Sequence, residues 1–483
     1  MSWKKSFLFI LTFSLLMTAV PVAAAENDDI YLEVKELLSA LHVNGMDMDE
    51  FKSDTIDGLL EELDDPYTEY FTAEEWRSFQ SGIEQQYVGV GIRIAQDDKG
   101  IYVVEVFEDS PAKKGGMYPG DYIIRVNQES MIGKSLDELT ARVMGLENTA
   151  VIVTVLRDGE EKDLRMIRKQ ISVPSVTGGW FERESVGYIK VSSFSLDANL
   201  EFARLMEQFE EQGMQALLLD LRDNPGGYLN TAQLLAKHFV KEGILIHTRD
   251  RNQEDIPVRI VGGKNMELPV YVLVNEGSAS ASEVLAGALQ DYGVAKVVGT
   301  QTFGKGSVQQ SFLLSNGGVL KITVEEYFTP NNRQVNHVGI TPDYEVHGTA
   351  SQVMFALRAA GAEELTLRIA QSGWSLNGVS FPERLRVIER DGKLFVQVRT
   401  LAAMAGESIS WDGKAKEVVF GGGARFASGS EAVVMENGIN YVNVEAFGKQ
   451  FPAFRSWKEQ QDWVMHFADH ATPSNVGIED EAA

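Results

Sequence analysis

The chain has 483 residues, 44% hydrophobic and 24% charged, enough for several domains with cores of their own. Its 70 acidic residues outnumber 44 basic ones, a formal charge of −26, which argues against a nucleic-acid partner and for a self-repelling, soluble surface. No cysteine is present, so thiol catalysis, disulfides and thiolate metal sites are excluded.

Lys4 and Lys5 precede an apolar run over residues 7–20, and Ala23, Ala24 and Ala25 follow just before Glu26. That order is an export leader with a cleavage site after Ala25. The expectation is an exported protein, on the extracellular or cell-envelope side. A retained leader would add a membrane association instead. Residues 30–63 read as helical, because apolar residues recur at three- and four-residue spacing from Leu32 to Leu41 and from Ile56 to Leu63. Two amphipathic helices with no companion core suggest an arm that packs on something else, such as a second copy in a homodimer, or on its own chain's next domain. Asp64, Asp65 and Pro66 stop the pattern. Thr72 and Glu75 then have the spacing of a capping box.

From Tyr87 the period becomes strand-like, with β runs over 88–94, 101–106, 122–126 and 151–155 and a helical stretch over 136–144. Gly89 and Gly91 sit in the first run. No helix follows them, so a phosphate loop is not indicated. The run 87–92, the block SPAKKGGMYPGDYIIRVN over 110–127 and the helix from Leu136 together resemble a PDZ domain in the circular order of bacterial proteases. The resemblance implies that the backbone of Val88, Gly89, Val90, Gly91 and Ile92 binds a peptide's C-terminal carboxylate while the peptide adds as a strand.

Residues 171–346 carry the longest strand–loop–helix pattern, of the kind that sets functional loops at strand C-termini. A buried-type strand over 216–221 runs into Asn224, Pro225, Gly226 and Gly227. Another, over 270–274, runs into Ser278, Ser280 and Ser282 and then an alanine-rich helix. That layout exposes a hydroxyl beside free helix N-terminal amides. Serine needs a base, and none of the seven histidines lies in a glycine-framed motif, whereas Lys305 stands between Gly304 and Gly306. A lysine works as a base only when neutral. An apolar seat from Phe303, Val308 and the glycines would favour that, and Gln309 would orient the amine. Gly226 could bring its amide close to a developing oxyanion, with Ala281 as second donor. Residue types alone do not choose among the three serines.

The texts GYIKVSSFS, LLLDLRDNPGGYL, VNEGSASASEVLAGAL, VVGTQTFGKGSVQ and GITPDYEV resemble the carboxy-terminal processing (tail-specific) proteases of serine peptidase family S41, and LDDPYTEYFTAEEW ahead of them matches too. The resemblance implies Ser280 as nucleophile, Lys305 as general base, Gln309 as its partner, and Gly226 and Ala281 as oxyanion donors, with no cofactor and no metal. It implies an exported Ser–Lys endopeptidase acting through an acyl-enzyme on proteins and peptides with exposed C-termini. A catalytically silent peptide- or lipophile-binding protein on the same fold is the alternative. One departure is Asn331-Asn332-Arg333, where the family carries a glycine. Asparagine tolerates left-handed backbone, so the turn is expected to survive.

Beyond residue 350 the expectation is a helical linker over 351–376, a repeat domain over 377–470 and an acidic tail over 471–483. Two half-repeats, from Asp391 and from Asn437, resemble the stalk-type domain of copper amine oxidases, with no metal-ligand spacing. The whole is thus an α/β multidomain chain: leader 1–25, N-terminal helical arm 26–82, β-barrel-like PDZ domain 83–170, mixed-sheet α/β protease core 171–350, and a C-terminal α+β repeat domain.

Overall fold

The structure, a computed structural model, describes residues 11–12, 27–97, 99–370 and 373–468. The cleavage site after Ala25 and the acidic tail lie outside these residues, as does the leader apart from Leu11–Thr12. The chain divides into two compact units, residues 1–85 with 174–347 and residues 86–173 with 348–483.

In the first unit six strands lie side by side: Val176–Phe181, Val186–Val191, Ala216–Asp220, Val270–Val274, Ala295–Gly299 and Tyr344–Glu345. All neighbours are parallel except the first pair. Ala216–Asp220 is buried at every residue, which suits a strand with parallel neighbours on both sides. Helices Ala198–Glu211, Leu229–Ala236 and Ala281–Asp291 contribute Phe202, Leu235 and Leu285 to the core this sheet shares. Three adjacent strands, Ala216–Asp220, Val270–Val274 and Ala295–Gly299, therefore deliver the Gly226, Ser280 and Lys305 loops to one edge.

A second sheet pairs Ser307–Leu313, Val319–Phe328, Gly243–Arg249 and Asp255–Ile260 in antiparallel register, and Glu69–Phe71 joins it opposite Lys321–Val319. Leu11–Thr12 pairs in parallel with Gly227–Tyr228, and Thr12 with Gln309. The arm is two helices, Asn27–Leu41 and Ile56–Glu62, and residues 42–55 between them are not helical. Asn44, Gly45, Asp47 and Asp49 crowd that stretch with residues whose side chains or backbone freedom compete with helix. The arm's stripe, Ile30, Val34, Leu38 and Leu59, packs against Leu314, Leu320 and Ile322 of the same chain. Burying each such side chain contributes about 1.5–3 kcal/mol. Helix Ala73–Ile83 opens on a formed capping box: Thr72 N–H donates to Glu75 Oε2 (2.8 Å) and Glu75 N–H to Thr72 Oγ1 (3.3 Å).

In the second unit, Ile92–Asp97, Gly100–Val106, Tyr122–Val126, Ala150–Arg157 and Glu160–Ile167 form an antiparallel sheet around Val103, Ile123, Leu139 and Val153. The expected single strand over 88–94 is broken at Val90–Gly91. Gly91 has φ +81°, and a Cβ there would stand 2.4 Å from Ser110 Cβ. The expected helical linker over 351–376 is a correction. Helix Thr349–Ala359 ends, and strands Glu364–Ala370 and Gly373–Leu376 follow. Leu365, Leu367 and Ile369 are buried at period two, a strand's signature. Each half-repeat is a hairpin, a short helix and a second hairpin. Their central strands, Lys393–Gln397 and Ile439–Asn443, pair with each other.

Candidate active site

The Asp220 carboxylate at the end of its strand is buried with the Arg222 guanidinium (2.8 Å) and Tyr188 OH (2.7 Å). Against the upward push of burial, Arg222 holds this carboxyl below its usual range. The following turn docks on the serine loop. The Asn224 carbonyl accepts from Ala279 N–H (3.0 Å) and Ser282 Oγ (2.9 Å), and Ser278 Oγ donates to the Leu221 carbonyl (2.8 Å). Two of the three serine hydroxyls are thus spent on backbone carbonyls. Ser280 is the N-cap of helix Ala281–Asp291, with φ +59° and ψ −116°, a strained position for a residue bearing Cβ.

Gly226 has φ +109° and lies against this turn. A Cβ there would sit 2.9 Å from Ser280 Cβ and 3.1 Å from Ala281 N, so only glycine fits. Gly226, Ser280 and Ala281 are therefore brought together. The Gly226 amide donates to Asn224 Oδ1 (2.9 Å).

One carboxylate fastens the serine loop to the lysine loop. Glu283 Oε2 accepts from Ser280 N–H (2.9 Å) and Lys305 N–H (2.9 Å), while Oε1 accepts from Gly304 N–H (2.7 Å) and Thr302 Oγ1 (2.5 Å). Burial pushes the Glu283 carboxyl up, against the pull of these four donors. Tyr327 OH adds a second tie, to the Lys305 carbonyl (2.8 Å) and the Ser280 carbonyl (3.2 Å). The lysine loop is held from its other side by residues 336–339. A Cβ on Gly306 would stand 2.1 Å from Asn336 N.

The Lys305 side chain is fully buried, its Nζ over the Tyr67 ring at 4.7 Å from the centroid. Burial first, and then the charge of Lys321, push its pKa well below the usual value, outweighing the pulls of Asp65, Glu69 and Glu283. Lys321 is itself buried, paired with Glu69 and set over the Phe71 and Phe79 rings. Val308 is buried, but Phe303 is 44% exposed, so the expected seat is a correction. The arm's Tyr67 replaces Phe303. Gln309 is also placed differently from the expectation. Its Nε2 donates to Ser307 Oγ (2.9 Å) and Thr323 Oγ1 (3.1 Å), and its buried Oε1 has no hydrogen-bond partner among the described residues. Asn332, in the turn where a glycine was expected, takes φ +58°.

In the second unit the loop of Val88, Gly89, Val90, Gly91 and Ile92 is held by its carbonyls: Ala112 N–H donates to Val90 O (2.8 Å) and Phe107 N–H to Gly91 O (3.1 Å). The Tyr87 ring lies on Gly89, where a Cβ would come within 2.9 Å of it. Burial pushes the Tyr87 hydroxyl up to about 12, with a hydrogen bond from the Ile92 amide pulling the other way.

Residues 185–346 match peptidase family S41 and residues 88–167 match the PDZ domain family. The segment 185–346 is thus similar to serine-type peptidases of family S41. A CtpA-like serine protease of Staphylococcus aureus (strain N315) is 37% identical over 316 residues, 65% of this chain and 63% of that protein. Its counterpart in Staphylococcus epidermidis (strain ATCC 12228 / FDA PCI 1200) is 36% identical over 301 residues, 62% of this chain and 61% of that protein. The chain thus spans under two thirds of these relatives' length. A solved photosystem II D1 C-terminal processing protease is 25% identical at a TM-score of 0.48, covering 70% of this chain and 98% of that one.

Within the S41 domain, sequence reasoning missed Glu283 and Lys321. Glu283 stood at the edge of the serine motif, and Lys321 sat unremarked in a strand. Tyr67 was passed over inside a matching text. A glutamate three residues after the Ser280 amide that donates to it is readable in principle, but the other partners of Glu283, on Thr302, Gly304 and Lys305, lie 19–22 positions away along the chain.

Proposed function

We propose that the chain is an exported serine endopeptidase that captures C-terminal tails of protein substrates in its PDZ domain and cleaves them with a Ser280–Lys305 dyad. The observation that carries this reading is a buried lysine, depressed in pKa, whose loop is fastened through Glu283 to the loop of the strained Ser280. The use of the Ser278 and Ser282 hydroxyls on backbone carbonyls supports Ser280 as the nucleophile.

In the proposed reaction Ser280 Oγ attacks the scissile carbonyl carbon as its proton passes to neutral Lys305 Nζ. The oxyanion is met by the amides of Gly226 and Ala281, the first turning from Asn224 to do so. The C–N bond breaks, Lys305 returns the proton to the departing amine, and an acyl-enzyme remains. Water then attacks the acyl carbon as Lys305 again takes a proton, the ester bond to Ser280 Oγ breaks, and Lys305 returns the proton to Ser280 Oγ, releasing the carboxylic acid product. The unpartnered Gln309 Oε1 is an acceptor suited to the lysine while it is protonated. Homodimerisation and membrane association stay outside this core. The arm's apolar stripe is spent on its own chain, and no described helix is long and apolar enough to cross a membrane.

The deciding experiment is Ser280→Ala assayed on a peptide with a free, apolar C-terminus. Cleavage should fall by about a thousandfold or more. Undiminished cleavage refutes the dyad.

A further inference from the structure

The turn that sets the Tyr67 ring against the Lys305 amine also carries a buried polar cluster with no part in the reaction so far. His42 is fully buried, and Asn44 N–H donates to its Nδ1 (3.2 Å), so the ring hydrogen sits on Nε2. Nε2 donates it to Asp65 Oδ2 (3.1 Å). Thr68 Oγ1 donates to the same oxygen (2.6 Å), and Tyr67 N–H donates to Oδ1 (3.0 Å). Against the upward push of burial, hydrogen bonds from His42, Thr323, Thr68 and the Tyr67 amide hold the Asp65 carboxyl at about 2. An ionised Asp65 can only accept, so the Thr323 hydroxyl gives it its one hydrogen.

Thr323 is pinned on its backbone as well. Its amide donates to Thr68 Oγ1 (3.0 Å), and its carbonyl accepts from Val43 N–H (2.9 Å). Across the sheet, a register shift between Val308 and Gln309 brings Gln309 opposite Thr323. A hydroxyl whose hydrogen is taken can only accept, so Thr323 Oγ1 receives Gln309 Nε2 (3.1 Å) and would repel Oε1. Ser307 Oγ accepts the other Nε2 hydrogen (2.9 Å), but a hydroxyl with a free hydrogen could rotate to suit either end of the amide. The choice of end therefore comes from Asp65 through Thr323. It leaves Gln309 Oε1 buried and without a hydrogen-bond partner among the described residues. We infer that Asp65 is a positioning residue for the base: through the Thr323 hydroxyl it fixes the Gln309 amide with its oxygen toward the protonated Lys305 amine. The inference rests on the Ser280–Lys305 reading and deepens it, giving the segment ahead of residue 185 a part in the proton transfer.

Charge and hydrogen-bond polarity act in opposite senses at Asp65. Burial and Lys321 disfavour the Lys305 proton, and the Asp65 charge is among those that pull it back. On charge alone, Asp65→Asn would favour the neutral amine. It would also let residue 65 offer hydrogens to Thr323 and so release the amide. On the peptide with a free, apolar C-terminus, kcat should fall about tenfold or more with KM within about twofold. Thr323→Val deletes the hydroxyl without touching the ion and should lower kcat alike. Thr323→Ser, which restores the hydroxyl, should recover most of the loss. On a Gln309→Ala background Thr323→Val should cost nothing further, because both act through one amide. If Asp65→Asn fails to fold, the Thr323 and Gln309 variants decide alone. Unchanged or raised kcat in Asp65→Asn or Thr323→Val, or an equal further loss on the Gln309→Ala background, overturns the relay and leaves the dyad standing. Ordinary kcat in Gln309→Ala, with Ser280 still required, does the same. Cleavage that survives Ser280→Ala overturns the reading beneath it.

Discussion

At the scale of single residues, the proposed reaction depends on an uncharged amine. A lysine in water holds its proton far above neutral pH, so Lys305 must be unseated by its surroundings. Burial does most of this, and the Lys321 charge does the next largest part. The Tyr67 ring face favours the cation and acts in the opposite sense, which limits how far the amine is pushed. Lys305 is lowered in the folded protein, so the unfolded chain binds more protons between that lowered value and the ordinary 10.5. Stability therefore rises with pH across that window. On the proposed mechanism, activity should rise with pH as Lys305 loses its proton, as a pH–rate profile would show. Lys321→Met removes the second cause and leaves Glu69 uncompensated, so the rising limb of the pH–rate profile should move to higher pH. At neutral pH the loss should be severalfold or more, recovered on raising the pH. A limb that stays in place would mean that Lys321 serves the fold alone. Little in the sequence warned of this residue: in Val319–Phe328 a lysine reads as a solvent-facing strand position. Only the pairing of Glu69 opposite Lys321 makes it a buried cation.

At the scale of elements, two loops from neighbouring strands share one carboxylate. All four donors of the Glu283 clasp come from the pieces it joins. Glu283→Gln turns one oxygen into an NH₂ group that faces backbone N–H groups, leaving buried donors unpaired. That should cost about 2–4 kcal/mol in a denaturant melt and lower kcat/KM about a hundredfold or more. A variant with ordinary stability and activity would remove the clasp from the account. The loops themselves were legible in the sequence, because small residues after an apolar strand and before a helix have few other uses. What holds them together was not, since it depends on which strands become neighbours. Elements without tertiary dependence were read well, as with the helix that Thr72 and Glu75 open. The stretch 42–55 and the strands after residue 360 were misread, each for its own reason. A spaced apolar pattern was extended through Gly45 in one case, and period-two burial was overlooked in the other.

At the scale of the whole molecule, each compact unit is assembled from two separated lengths of chain, so neither is complete until distant segments return. Units with separate cores are expected to unfold as separate cooperative steps. Calorimetry should resolve two transitions. A peptidyl boronate directed at Ser280 should raise one of them, by about 2.7 kcal/mol at a hundred times its dissociation constant, and leave the other where it was. One transition that shifts as a whole would contradict this division. The interleaved order of the segments was not legible in the sequence, where the regions read as beads in a row. Their identities were, because the PDZ-like and S41-like texts are local.

The hydrogen bond from the Gly226 amide to Asn224 bears on selectivity between states of the reaction. Trading a neutral side-chain acceptor for a neutral peptide carbonyl leaves the energy of that amide nearly level. Trading it for an oxyanion gains, since charge-assisted hydrogen bonds are about twice as strong. If Gly226 serves the proposed reaction, a donor already occupied at rest would add little to the grip on intact substrate and most to the moment when negative charge builds. In the proposed reaction the asparagine would thus act as a reference acceptor against which only the transition state competes well.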